Sequence, residues 1–123
     1  MRPSSWIAEV PLQISESLLK SQRQHVLPLR GEIDLHVSPA VTESLNAIIE
    51  KKPNRIVIDL SRTTYIDGTG LAALIQAMQK VKAYGGKFLL AGSQETMRSI
   101  FGTSGLDNIF QVFPDVTAAL ATI

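Results

Sequence analysis

The chain has 123 residues, enough for one domain around one core. Hydrophobic residues make up 45% and charged residues 19%, as in ordinary globular proteins, and a formal net charge of +1 nominates neither nucleic acid nor a membrane surface as partner. Cysteine is absent, which excludes disulfides, thiol nucleophiles and cysteine-ligated metal and agrees with a reducing cytosol.

Met1 to about Val10 holds no long apolar core, so it resembles neither a signal peptide nor a membrane span. Residues 1–11 read as an N-terminal arm and residues 12–123 as the domain. Leu12–Leu18 alternates weakly, and the polar turn Ser21–Gln24 would fold it onto His25–Arg30 as an antiparallel hairpin. Pro28 interrupts the second strand; lacking an N–H, it belongs on an unpaired side or at a bulge. Gly31–Leu35 reads as a loop. Ser38 is placed as a helix N-cap with Pro39 at the first helical position, and Val41, Leu45, Ile48 and Ile49 share one face until Pro53 stops the helix. Ile56–Leu60 is a β-branched run expected to be buried on both faces, as in a central parallel strand. A helix starts near Gly68 or Thr69, buries Leu71, Leu74, Ile75, Met78 and Val81, and ends at Gly85-Gly86. Phe88–Ala91 is another buried strand. Ser93 caps a short helix with Met97, Ile100 and Phe101, Phe110–Phe113 is a strand, and Asp115 caps a last helix with Val116, Ala119, Leu120 and Ile123 inward. Strands separated by helices imply parallel neighbours with right-handed crossovers. The predicted fold is α/β: a mixed β-sheet with an antiparallel leading hairpin, flanked by about four α-helices.

The stretch Tyr65-Ile66-Asp67-Gly68-Thr69-Gly70-Leu71 joins a buried strand to the long helix. Ligands and modifications gather beyond the carboxyl ends of parallel strands, and the loop of Glu32, Ile33 and Asp34 is expected at the same end, so that Asp34 and Asp67 flank Thr69. Four readings compete. Asp67 or Thr69 is a helix cap, contributing about 1 kcal/mol. Gly68-Thr69-Gly70 cradles a nucleotide phosphate at a helix N-terminus, although the lysine and spacing of a Walker loop and the third glycine of a dinucleotide fingerprint are missing. Thr69 is a hydrolase nucleophile, although the nucleophile-elbow glycines are absent and only His25 and His36 could act as bases. Or Thr69 accepts a phosphoryl group from a partner kinase. Neither metal-ligand spacing nor a paired-histidine motif is present, so no metal, cofactor or catalytic set is predicted.

The order of motifs adds to this. Gly31-Glu32-Ile33-Asp34, then Asp59-Leu60-Ser61, Ile66 to Leu71, Gly85-Gly86-Lys87-Phe88, Gly105-Leu106 and Phe110 resemble the STAS domain family of bacterial anti-sigma factor antagonists over roughly Leu12 to Ile123. The resemblance implies a mixed sheet flanked by helices and a phosphoacceptor at the position of Thr69, with Asp67 and Asp34 matching the family's aspartates. It further implies a cytoplasmic binding protein, not an enzyme, that binds an anti-sigma factor serine/threonine kinase and is reset by a PP2C-type phosphatase. The partner surface would hold Glu32, Asp34, Leu35, Asp67, Gly68, Thr69, Gly70 and Leu71, without direct contact to nucleic acid or membrane. Many sigma-regulating relatives carry serine where this chain has Gly68. The alternatives are a STAS scaffold or transport-accessory protein not controlled by phosphorylation, and a nucleotide-binding domain.

Overall fold

The computed structural model describes residues 6–7, 23–102 and 109–122, and within them strands and helices alternate. In order they are β1 (Gln24–Ile33), α1 (Ser38–Glu50), β2 (Arg55–Ile66), α2 (Gly68–Ala83), β3 (Lys87–Ala91), α3 (Gln94–Phe101), β4 (Gln111–Phe113) and α4 (Val116–Ala121). The sheet order is β1-β2-β3-β4, so sequence neighbours are neighbours in space. All three pairings are parallel, because each return between strands is made by a helix.

This sheet corrects the mixed architecture expected from the sequence. Its four strands contain no antiparallel hairpin. The strand expected over residues 12–18 lies outside the described residues. Among the described residues, antiparallel pairing occurs in one isolated bridge, Ile7 to Leu29, where the Arg30 N–H donates to the Trp6 carbonyl at 2.8 Å. Trp6 is buried there against the main core.

β2 is the central strand, and its period of two divides the interior. Ile56, Ile58 and Leu60 face a core shared with Val41 and Leu45 of α1, Leu74, Met78 and Val81 of α2 and Ile100 of α3. Val57 faces the opposite layer with Val26, Leu89, Ala91 and three residues of α4. Each fully buried aliphatic side chain here contributes about 1.5–3 kcal/mol of transfer free energy. Arg55 anchors the chain end. Its Nη1 donates to Gln24 Oε1 at 3.2 Å and to the Leu120 carbonyl at 2.7 Å, and Nη2 donates to the Thr122 carbonyl.

Pro28 sits where its missing donor does least harm. The β1–β2 register shifts between Pro28 and Arg30, and the buried Thr63 hydroxyl donates to the Leu29 carbonyl at 3.1 Å. β1 continues through Gly31 to Ile33 instead of turning into a loop at Gly31, and β2 runs on to Ile66. A second register shift, between Gly31 and Glu32, lets both strands extend past the run of apolar residues that marked them in sequence.

Three helix ends follow the sequence closely and one does not. Ser93 Oγ accepts from Thr96 N, and Asp115 Oδ1 accepts from Ala118 N. At the end of α2, Gly85 takes φ +87°, Gly85 N donates to the Lys82 carbonyl and Gly86 N to that of Val81, the paired bonds of a Schellman motif. Ser38, however, is not a cap: it is the first helical residue and buried, and no side chain caps α1. The Asp34 carbonyl takes the Val37 and Ser38 N–H groups instead, so a backbone turn does the work assigned to a hydroxyl. No described helix is long and apolar enough to cross a membrane.

Candidate functional site

β1 and β2 run parallel and end together, with Ile33 paired to Ile66. The residues that follow each strand therefore meet at one end of the sheet. Asp67 leaves β2 in an extended conformation (φ −90°, ψ −175°), as an N-cap must. Its Oδ1 accepts from Thr69 N at 2.9 Å, Gly70 N at 3.0 Å and the Thr69 hydroxyl at 2.5 Å. Its Oδ2 accepts from Leu35 N at 3.1 Å, and its own N–H donates to the Ile33 carbonyl at 3.1 Å. One carboxylate thus fixes the start of α2, orients Thr69 and ties down the loop after β1. These donors, the Thr69 hydroxyl first, hold the Asp67 carboxyl below the usual carboxylate range, because they stabilise only its charged form.

Thr69 lies on the first turn of α2 and is exposed. Its hydroxyl proton is directed at Asp67. The two flanking glycines differ in kind. A Cβ on Gly70 would stand 2.8 Å from the Ile33 carbonyl oxygen and 2.9 Å from Ile66 Cγ2, so only glycine allows α2 this close to β1. A Cβ on Gly68 would meet nothing within 4 Å.

The other sequence-predicted residues fall at the same end in different states. Asp34 is half-buried, and its Oδ1 accepts from His36 N at 3.0 Å; of the two aspartates, only Asp67 bonds Thr69. Glu32 is exposed and Leu35 is 63% exposed, while Leu71 is half-buried and packs against the core. Two contributors were not read from the sequence. Tyr65, 49% exposed, stands in register with Glu32 beside the site; its sequence signal is an aromatic alternating with Ile66, five residues beyond the apolar run Ile56–Leu60. The Leu35 backbone N–H is held by Asp67, and no residue type announces such a contact.

The chemistry this arrangement supports is narrow. His25 lies at the amino end of β1, at the far end of the sheet from Thr69, and His36 is an exposed loop residue whose backbone N–H donates to Asp34. Among the described residues, no group of three or more His, Asp and Glu is placed to hold a metal. What remains is the hydroxyl of an exposed threonine at a helix N-terminus, with the exposed Leu35 and Tyr65 nearby.

Comparison with known proteins agrees with this geometry. The STAS domain family model matches residues 17–119. The chain is 26% identical over 102 residues to an anti-sigma-B factor antagonist of Listeria monocytogenes, covering 82% of this chain and 90% of the relative. It is 30% identical over 98 residues to an anti-sigma-F factor antagonist of Mycobacterium tuberculosis, covering 80% of each. The crystal structure of an anti-sigma factor antagonist from Mycobacterium paratuberculosis superposes with a TM-score of 0.67 at 29% identity, over 77% of this chain and 80% of that one.

Proposed function

The chain belongs to the STAS domain family, and from that premise we propose that it is a cytoplasmic anti-sigma factor antagonist whose partner binding is switched by phosphorylation of Thr69. The observation that carries this reading is the Thr69 hydroxyl itself: exposed on the first turn of α2, bonded to Asp67 at 2.5 Å, beside two exposed apolar side chains. Antagonists among its relatives support the choice of partner class.

In this scheme the unmodified protein docks its carboxyl-end surface, Glu32, Asp34, Leu35 and residues 67–71, on an anti-sigma factor that is also a serine/threonine kinase, and the sigma factor is released. The kinase then moves the γ-phosphoryl group of ATP to Thr69 Oγ1. The Oγ1–P bond forms, ADP leaves with the electrons of the broken P–O bond, and the hydroxyl proton passes to the kinase's base. A PP2C-type phosphatase hydrolyses the ester and resets the cycle. The protein supplies the acceptor; the catalytic groups belong to its partners.

Phosphorylation acts locally. It replaces the hydroxyl donor by a group of charge about −1.5 to −2. The α2 N-terminus partly stabilises that charge, while Asp67, ionised and already turned toward Thr69, repels it. The larger effect falls on the complex, where a hydrated dianion would be pressed against a partner surface. Incubating the protein with its kinase and labelled ATP, then mapping the label, tests the assignment: label on Thr69, lost in Thr69→Ala, is expected, and full labelling of Thr69→Ala rejects the site.

A further inference from the structure

The opposite end of the sheet has a composition of its own. Register sets Gln24, Arg55 and Lys87 side by side where β1, β2 and β3 begin, neighbouring strands standing about 5 Å apart. The helices run back against the strands, so their C-termini arrive at the same end. Lys51 and Lys52 follow α1, and Lys82 lies in the last turn of α2. Hydrogen bonds knit these pieces together. The Arg23 guanidinium donates to the Lys51 and Lys52 carbonyls at 2.9 and 3.0 Å, Asn54 N donates to the Arg23 carbonyl, Lys87 N to that of Asn54, and the Tyr84 hydroxyl to that of Pro53.

Six cations, Arg23, Lys51, Lys52, Arg55, Lys82 and Lys87, therefore converge on one end, half of the 12 Lys and Arg in a chain of net charge +1. The acid nearest in sequence among the described residues is Glu50, at the end of α1. The C-termini of α1 and α2 offset roughly one unit of this charge, and Arg55 and Lys87 have partners of their own, so the positive excess rests on Arg23, Lys51, Lys52 and Lys82. Arg23 and Lys52 both hold positive φ, 52° and 49°, which is uncommon for residues other than glycine.

We propose that this amino end is a second docking face, for an acidic segment of a protein partner. Arg23, Lys51, Lys52, Lys82 and Lys87 are exposed, and among the described residues no exposed aromatic or large aliphatic side chain stands with them to enter a bilayer or stack on a base. Beyond this end the chain's charges lean the other way, so it lacks the extended positive field that holds a nucleic acid. A run of Asp and Glu carboxylates matches the compact set of ammonium and guanidinium groups, and it can be held while the carboxyl end is occupied.

The test is an amide NMR titration of the full chain with a deca-glutamate peptide. Saturable shifts confined to Arg23, residues 51–54 and residues 82–87 are expected, with affinity falling about fivefold or more as salt rises from roughly 20 to 200 mM. Lys51→Gln with Lys52→Gln should weaken binding about fivefold or more, while Arg62→Gln, exposed in the carboxyl half of β2, should leave it unchanged. If the double variant misfolds, Lys82→Gln, a single exposed change, should still weaken it about twofold. Absent shifts, shifts mapping elsewhere, or tighter binding of a single-stranded dodecathymidylate or of phosphatidylglycerol vesicles would overturn the proposal. None of these results bears on Thr69, which lies at the far end of the sheet.

Discussion

At the scale of residues, the site depends on how one carboxylate is shared. Asp67 serves three donors with one oxygen and the Leu35 amide with the other. Because the Thr69 hydroxyl is the first cause of its lowered pKa, Thr69→Val should move the Asp67 titration midpoint, followed by carboxyl carbon NMR, upward toward the ordinary aspartate value. The sign for stability follows. A carboxyl whose folded pKa is depressed stabilises the fold above its unfolded pKa, and that contribution fades as pH falls through the folded value. Thermal denaturation should therefore show wild type losing its advantage over Asp67→Asn only on acidification; an advantage independent of pH would mean that the charge of Asp67 is not what matters. The sequence made this residue legible as a cap because an aspartate before a helical run is a local signal. It did not show that the same side chain reaches across to Leu35, 32 positions away.

At the scale of elements, the two glycines around Thr69 answer different demands. Gly70 is needed because α2 begins against the Ile33 carbonyl, whereas the Gly68 Cβ position is open. Gly68→Ala should raise stability by about 0.4–1 kcal/mol, by restricting the unfolded chain. Gly70→Ala should lower it by about 1–3 kcal/mol, because the added methyl forces β1 and α2 apart. Urea unfolding measures both, and equal effects would contradict the packing described. In sequence the two glycines look alike. The helices and central strands were legible because their apolar residues repeat at 3.6 and 2. The full lengths of β1 and β2 were not, since Ser61, Arg62, Thr64 and Tyr65 are exposed strand residues and Gly31 reads as a loop. Asp34 shows the same limit: its loop was placed at the correct end, but a local turn with His36 claims its carboxylate.

At the scale of the whole molecule, parallel topology separates two chemistries. Strand ends and helix starts gather Asp67, Thr69, Leu35 and Tyr65 at one end, while strand starts and helix ends gather cations at the other. The sequence conveyed the first through a single motif. It hid the second, because Arg23, Lys51, Lys82 and Lys87 are scattered along the chain and its net charge is near zero. The claim on which the rest depends is that a charge placed on Thr69 ejects the partner. The measurement that tests it most directly is the affinity of the unmodified and the Thr69-phosphorylated protein for the anti-sigma factor kinase, by calorimetry under identical salt. The account predicts at least about 30-fold weaker binding after phosphorylation, corresponding to roughly 2 kcal/mol; equal affinities would contradict it.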